Sequence, residues 1–172
     1  MKKIILLIAL FFGASFAQAQ KKNDAIGIWF QGSTNGWAEW WGIDYKHLSS
    51  NAALNIYGNI GYDSDDNKLT VGAYLGYYFL LNIIKADASV GRFPLYWGPY
   101  GGLGYWDQRN NNGVAARAGV TGGISWILPE LPMDLSFELT PVIECNFTDG
   151  GSSFQDLPIS FLYFRLMLHY YF

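Results

Sequence analysis

The chain has a single cysteine, Cys145, and only two histidines, His47 and His169. One cysteine excludes an internal disulfide, and neither histidine has neighbours at metal-ligand spacing, so no metal centre is expected. Charge is also scarce. Asp, Glu, Lys and Arg make up 15% of the chain, whereas a soluble domain of this size carries about a quarter. No window of 18 apolar residues follows the first residues of the chain, which excludes a transmembrane helix, and helical periodicity is missing throughout. Positive charge is in short supply too. With Lys2 and Lys3 set aside, nine basic residues face fourteen acidic ones, a net charge of −5. That balance argues against electrostatic binding of nucleic acid.

What remains is aromatic and glycine-rich: 18% Phe, Trp and Tyr, with 20 glycines. Period-2 alternation, broken by polar or Gly/Pro-rich punctuation, runs along the chain. It predicts eight strands at 24–32, 39–48, 53–62, 68–80, 94–107, 114–128, 133–146 and 158–172. These are long. A tilted membrane strand needs about 9–11 residues, against about 5–6 for a typical soluble strand. One face of each is apolar. Trp41, Ile43 and Tyr45 oppose Asp44 and Lys46; Leu135, Phe137, Leu139, Pro141 and Ile143 oppose Asp134, Ser136, Glu138, Thr140 and Glu144. In the last strand Leu162, Phe164, Leu166, Leu168, Tyr170 and Phe172 oppose Tyr163, Arg165, Met167, His169 and Tyr171. The fifth strand is blurred by glycine, and its Pro99 predicts a bulge or kink.

Alternation does not say which face points inward. A soluble lipocalin-like barrel would turn the apolar face in around a ligand, and a membrane barrel would turn it out. The charges on the opposed face favour the membrane. So do the aromatics near strand ends, Trp40, Trp41, Tyr45, Tyr62, Tyr77, Phe79, Trp126, Tyr170 and Phe172, which suit interfacial girdles. The expected fold is therefore all-β: an eight-stranded antiparallel up-and-down transmembrane β-barrel. At the other end, Lys2 and Lys3, the apolar run Ile4 to Phe12 and Ala17-Gln18-Ala19 predict a secretory signal peptide over 1–19, with the barrel domain at 20–172 and the outer membrane as destination. With no cysteine near the cleavage site, a lipoprotein anchor is not expected. Segments 33–38, 63–67, 108–113 and 147–157 are expected outside, and 49–52, 81–93 and 129–132 in the periplasm. Segment 81–93 is long and apolar for a turn, and a ten-stranded barrel would use it as strand.

Two stretches resemble a little-characterised family of small bacterial outer-membrane barrels. They are Pro94-Leu95-Tyr96-Trp97-Gly98-Pro99-Tyr100-Gly101-Gly102-Leu103-Gly104-Tyr105 and the strand-turn-strand stretch from Gly119 through Leu128-Pro129-Glu130-Leu131-Pro132 to Leu135. The resemblance implies fold and location and no reaction. In barrels that this chain is similar to, assembly machinery reads an aromatic carboxy-terminal strand, which points to Phe172, Tyr170 and Leu168 as the assembly signal. Outer-membrane lipid and that machinery are the expected partners of a monomer.

Eight strands leave an interior that side chains just fill. Arg117, Glu138, Glu144 and Arg165 are expected to cross-brace it, Arg165 against the acids of the seventh strand; a narrow polar conduit is the alternative. His169 is expected as an interior hydrogen-bonding residue. Some small barrels of this membrane act on lipid A, and His47-Leu48-Ser49 resembles the H-x-S element of one such deacylase. Nucleophilic chemistry would need His beside Ser and an acid orienting the ring. The topology puts this element at a periplasmic turn, away from a substrate in the outer leaflet, and no acid partner follows at similar spacing. No catalytic residue and no cofactor is assigned. Asp63, Asp65, Asp66 and Asn67 lack the length and terminal Glu of a calcium loop and are expected as solvated loop.

Overall fold

The computed structural model describes residues 23–33, 36–63, 68–84, 90–108, 111–148, 151–154 and 161–172. The expected signal peptide, and Asp65, Asp66 and Asn67, lie outside the described residues. Nine strands follow in order: β1 (Asp24–Ser33), β2 (Gly36–Leu48), β3 (Ala52–Asp63), β4 (Lys68–Ile84), β5 (Phe93–Gln108), β6 (Asn111–Ile127), β7 (Met133–Thr148), β8 (Gly151–Phe154) and β9 (Phe161–Tyr171). From β1 to β8 each pairs antiparallel with the next, and β9 pairs with β7 and with β1 to close the ring. β8 and β9 both lie along β7, on Cys145–Thr148 and Met133–Val142 respectively, so they are two pieces of one stave. The barrel is thus eight-stranded, as expected. Among the described residues no additional strand lies between β4 and β5. Instead β4 runs on to Ile84, β5 starts at Phe93, and a single bridge joins Arg92 to Ile127.

The register fixes the shape. From Tyr171, paired residues lead through Ala25, Lys46, Asn55, Gly76, Tyr100, Gly119 and Val142 back to β9 at Phe161, ten residues from the start. Eight strands with that stagger tilt about 40° from the axis and close at a radius of about 8 Å, for standard strand rise and spacing. The expected bulge at Pro99 is absent. The β5–β6 register runs through Pro99–Val120 unshifted, and on the β4 side the two rungs opposite Gly98 and Pro99 are missing without a shift; the shift of that ladder lies elsewhere, between Leu81 and Ile84. Two rungs opposite Val120 and Thr121 are missing in the same way beside Pro141. A proline lacks the N–H that a rung needs, and at Pro99 and Pro141 the ladder lapses locally while its neighbours stay in register.

The apolar faces point outward. On β4, Leu69, Val71, Ala73, Leu75, Tyr77, Phe79 and Leu81 are exposed, while Thr70, Tyr74 and Tyr78 between them are buried. At the barrel's tilt, Leu69 to Leu81 cover about 30 Å of height, enough for the apolar band of roughly 25 Å that an outer-membrane barrel presents. Aromatics gather at both edges. Tyr77 meets Phe79 edge-on and Phe79 tilts against Trp97 at the end that carries the short turns 49–51 and 128–132, where Phe93 stacks on Trp126; Tyr62, Tyr105 and Phe147 are exposed toward the other end. The interior is polar and aromatic, so the lipocalin-like arrangement with an apolar inside is the reverse of what is found.

Candidate functional site

The inward side chains form three levels of paired charge. Nearest the ends Ser33, Asp63, Gln108 and Thr148, Arg117 of β6 faces Glu144 of β7 (Nε to Oε2, 2.5 Å), because the register pairs these two residues. Arg117 also donates to the Tyr74 hydroxyl at 2.7 Å, and its guanidinium lies over the rings of Tyr74 and Tyr163.

At mid-height Arg165 and Glu138, likewise register partners, meet at 2.9 Å with both side chains fully buried. Arg165 Nε donates to Gln31 at 2.7 Å, and the guanidinium lies 4.5–5.7 Å from the ring centres of Tyr100, Tyr57 and Trp29. Tyr57 and Tyr96 both donate to Glu138 Oε1, at 3.2 and 3.1 Å. A buried ion pair is stable only when its remaining donors and acceptors are met, and here the tyrosine hydroxyls meet those of the acid. Of these tyrosines, Tyr57 lies on the polar face of an alternating strand and is legible there in the sequence, whereas Tyr96 and Tyr100 lie on the glycine-blurred β5.

The third level lies at the short-turn end. His169 of β9 bridges Asp134 of β7 (2.7 Å) and Asp44 of β2 (2.8 Å), and Lys46 of β2 meets Asp134 at 2.8 Å. Tyr171 and Ser136 also donate to Asp134. His169 is therefore the interior hydrogen-bonding residue expected. Room for this level comes from β1, whose inward residues here are Ala25 and Gly27. A Cβ on Gly27 would lie 2.4 Å from Asp44 Oδ1 and 2.6 Å from His169 Cδ2. We expect Gly27→Ala to destabilise the barrel by about 1–3 kcal/mol, the usual cost of overpacking. Urea unfolding in detergent micelles checks this; an unchanged midpoint would mean the level has slack.

A cavity of about 640 Å³ opens at the short-turn end. It reaches Lys46, Asn55, Tyr78, Tyr96 and Asp134, but its lining includes none of Arg165, Glu138 and Arg117. The H-x-S element lies at the same end. An acid does meet His47, but it precedes it in the chain: Asp24 Oδ1 lies 2.7 Å from Nδ1 and also accepts from Tyr45. Ser49 donates to the Ala52 carbonyl at 3.0 Å, so its hydroxyl is committed to the turn. Among the described residues no cluster of His, Cys, Asp and Glu could hold a metal ion. Of the expected assembly residues, Leu168 and Phe172 face outward. Cys145, on the same outward face of β7 as Ile143, is partly exposed.

No protein-family model matches the sequence, and no curated protein matches it. Two solved structures are similar in fold. The N-terminal β-barrel domain of Pseudomonas aeruginosa OprF is 14% identical, with 89% of this chain and 100% of that one covered at a TM-score of 0.49. Neisserial surface protein A is 10% identical, with 87% of this chain and 95% of that one covered at a TM-score of 0.52. With its closed ring of eight antiparallel staves, apolar outside and charged inside, the chain has the fold of the small outer-membrane barrels.

Proposed function

We propose that the protein is a monomeric outer-membrane barrel with a structural or adhesive role, which neither conducts solutes nor catalyses a reaction. The observation that carries this reading is the mid-height level. Arg165 and Glu138 fill the bore together with Trp29, Tyr57, Tyr100, Thr121 and Thr140. All of these but Tyr100, which is 6% exposed, are at most 2% exposed, in a barrel too narrow for side chains and a water column at once. The cavity at the short-turn end stops short of it. Export by a signal peptide, insertion through assembly machinery that reads Phe172, and termini in the periplasm belong to the same reading. The ends Ser33, Asp63, Gln108 and Thr148 then face the cell exterior and carry any adhesive contact.

Planar-bilayer recording of the full mature chain tests it. No stepwise conductance above the bare bilayer is expected at neutral pH. Reproducible channel steps scaling with protein concentration would replace the sealed scaffold with the conduit. Lipid A of unchanged mass after deletion of the gene is expected as well, and a lost or gained acyl chain would reopen the enzymatic alternative.

A further inference from the structure

Seven of the eight junctions of this barrel join staves that follow one another in the chain. The eighth, β1 against β9, joins residues such as Ala25 and Tyr171 that are far apart in sequence. Ordering two such distant segments has the largest loop-closure cost in the molecule, so this seam is where the ring is easiest to open. The charged level at the short-turn end lies across it. His169 and Tyr171 are on β9, Asp44 and Lys46 are on β2, and Asp134 is on β7. β1 lies between β9 and β2 and contributes no side chain to the ring of contacts, although Gly27 is paired in register with both Asp44 and His169, and Ala25 with both Lys46 and Tyr171.

At a radius of about 8 Å, staves two apart stand roughly 9 Å from each other, so an imidazole and a carboxylate span the gap only if nothing between them projects inward. Gly27 meets that condition, and any Cβ there would strike both partners. The result is a closed circuit, Asp44–His169–Asp134–Lys46, with Asp44 and Lys46 on the same strand and every link between 2.7 and 2.8 Å. It passes over β1 and ties β2 to β7 and β9. We propose that this circuit is a strap that holds the closing seam shut at the short-turn end, so that cutting it loosens the β1–β9 junction rather than the barrel as a whole.

Hydrogen exchange of the folded full-length barrel in detergent tests the strap. The double variant Asp44→Asn with His169→Gln keeps hydrogen-bonding groups at both positions and leaves the Lys46–Asp134 pair in place. Amides of β1 and of Leu166 to Tyr170 on β9 are expected to exchange about tenfold faster or more, through local opening. Amides at Ile56, Leu75 and Leu103 are expected to stay within about a factor of two. A second set adds Ile28→Cys and Leu168→Cys, which are register partners on the outer face, in a Cys145→Ser background. The disulfide is expected to restore slow exchange to the strap variant. Faster exchange spread evenly around the barrel, no change at the seam, or no restoration by the disulfide would overturn the proposal. If the double variant does not fold alone, folding with the disulfide closed supports the strap, and failure even then overturns it.

Discussion

Glu138→Leu is expected to destabilise the barrel by about 3–5 kcal/mol, the usual cost of leaving one member of a buried ion pair without its partner. Arg165 would keep its hydrogen bond to Gln31 and the three rings around it but lose its only carboxylate contact among the described residues. The Tyr57 and Tyr96 hydroxyls would lose an acceptor as well. Arg165→Met alone is expected to cost a similar amount for the converse reason. Combined, Glu138→Leu and Arg165→Met should be far less damaging than the sum, since two apolar groups replace two charges and no lone charge is left. Urea titrations of the two single variants and the double variant in detergent micelles measure this. Additive losses would show that the two residues act independently and that the mid-height level is not a coupled unit.

How much of this was legible in the sequence depends on what each feature rests on. Strands and faces were legible because one face meets lipid and the other a charged interior, which writes a period of two into nearly every strand. The exception, β5, has Gly98, Gly101, Gly102 and Gly104 among its members, and glycine gives no sign of which way it faces; its inward Tyr96 and Tyr100 emerge only from the pairing. Arg117–Glu144 and Arg165–Glu138 were within reach because each pair sits on adjacent staves. The circuit at the short-turn end was not. Asp44 and His169 are 125 residues apart and meet across a third strand, so their contact depends on the ten-residue stagger and on the missing side chain of Gly27. Pro99 misled for a related reason. A proline in a strand signals a lost hydrogen bond, but whether the ladder shifts or merely lapses depends on the partner strand.

Leu75→Arg decides between the membrane and water as the barrel's surroundings, with a large effect expected. Leu75 is 51% exposed, points outward and stands midway along the apolar face of β4 between Leu69 and Leu81. In a bilayer its side chain lies near the midplane, where an arginine costs about 2–4 kcal/mol; nearer the edge of the band the cost falls to about 0–1 kcal/mol. Leu69→Arg, three turns of the pleat closer to the end of the same strand, is therefore expected to be nearly neutral. Folding into short-chain lipid vesicles, followed by urea titration, gives both numbers against the same reference. The gradient is the informative quantity. An exposed residue on a water-soluble barrel would tolerate arginine equally at both positions, typically within about 0.5 kcal/mol, and would give no depth dependence. A steep difference between Leu75→Arg and Leu69→Arg, with unchanged interior packing in both, can come only from a layer of low polarity around the middle of the barrel.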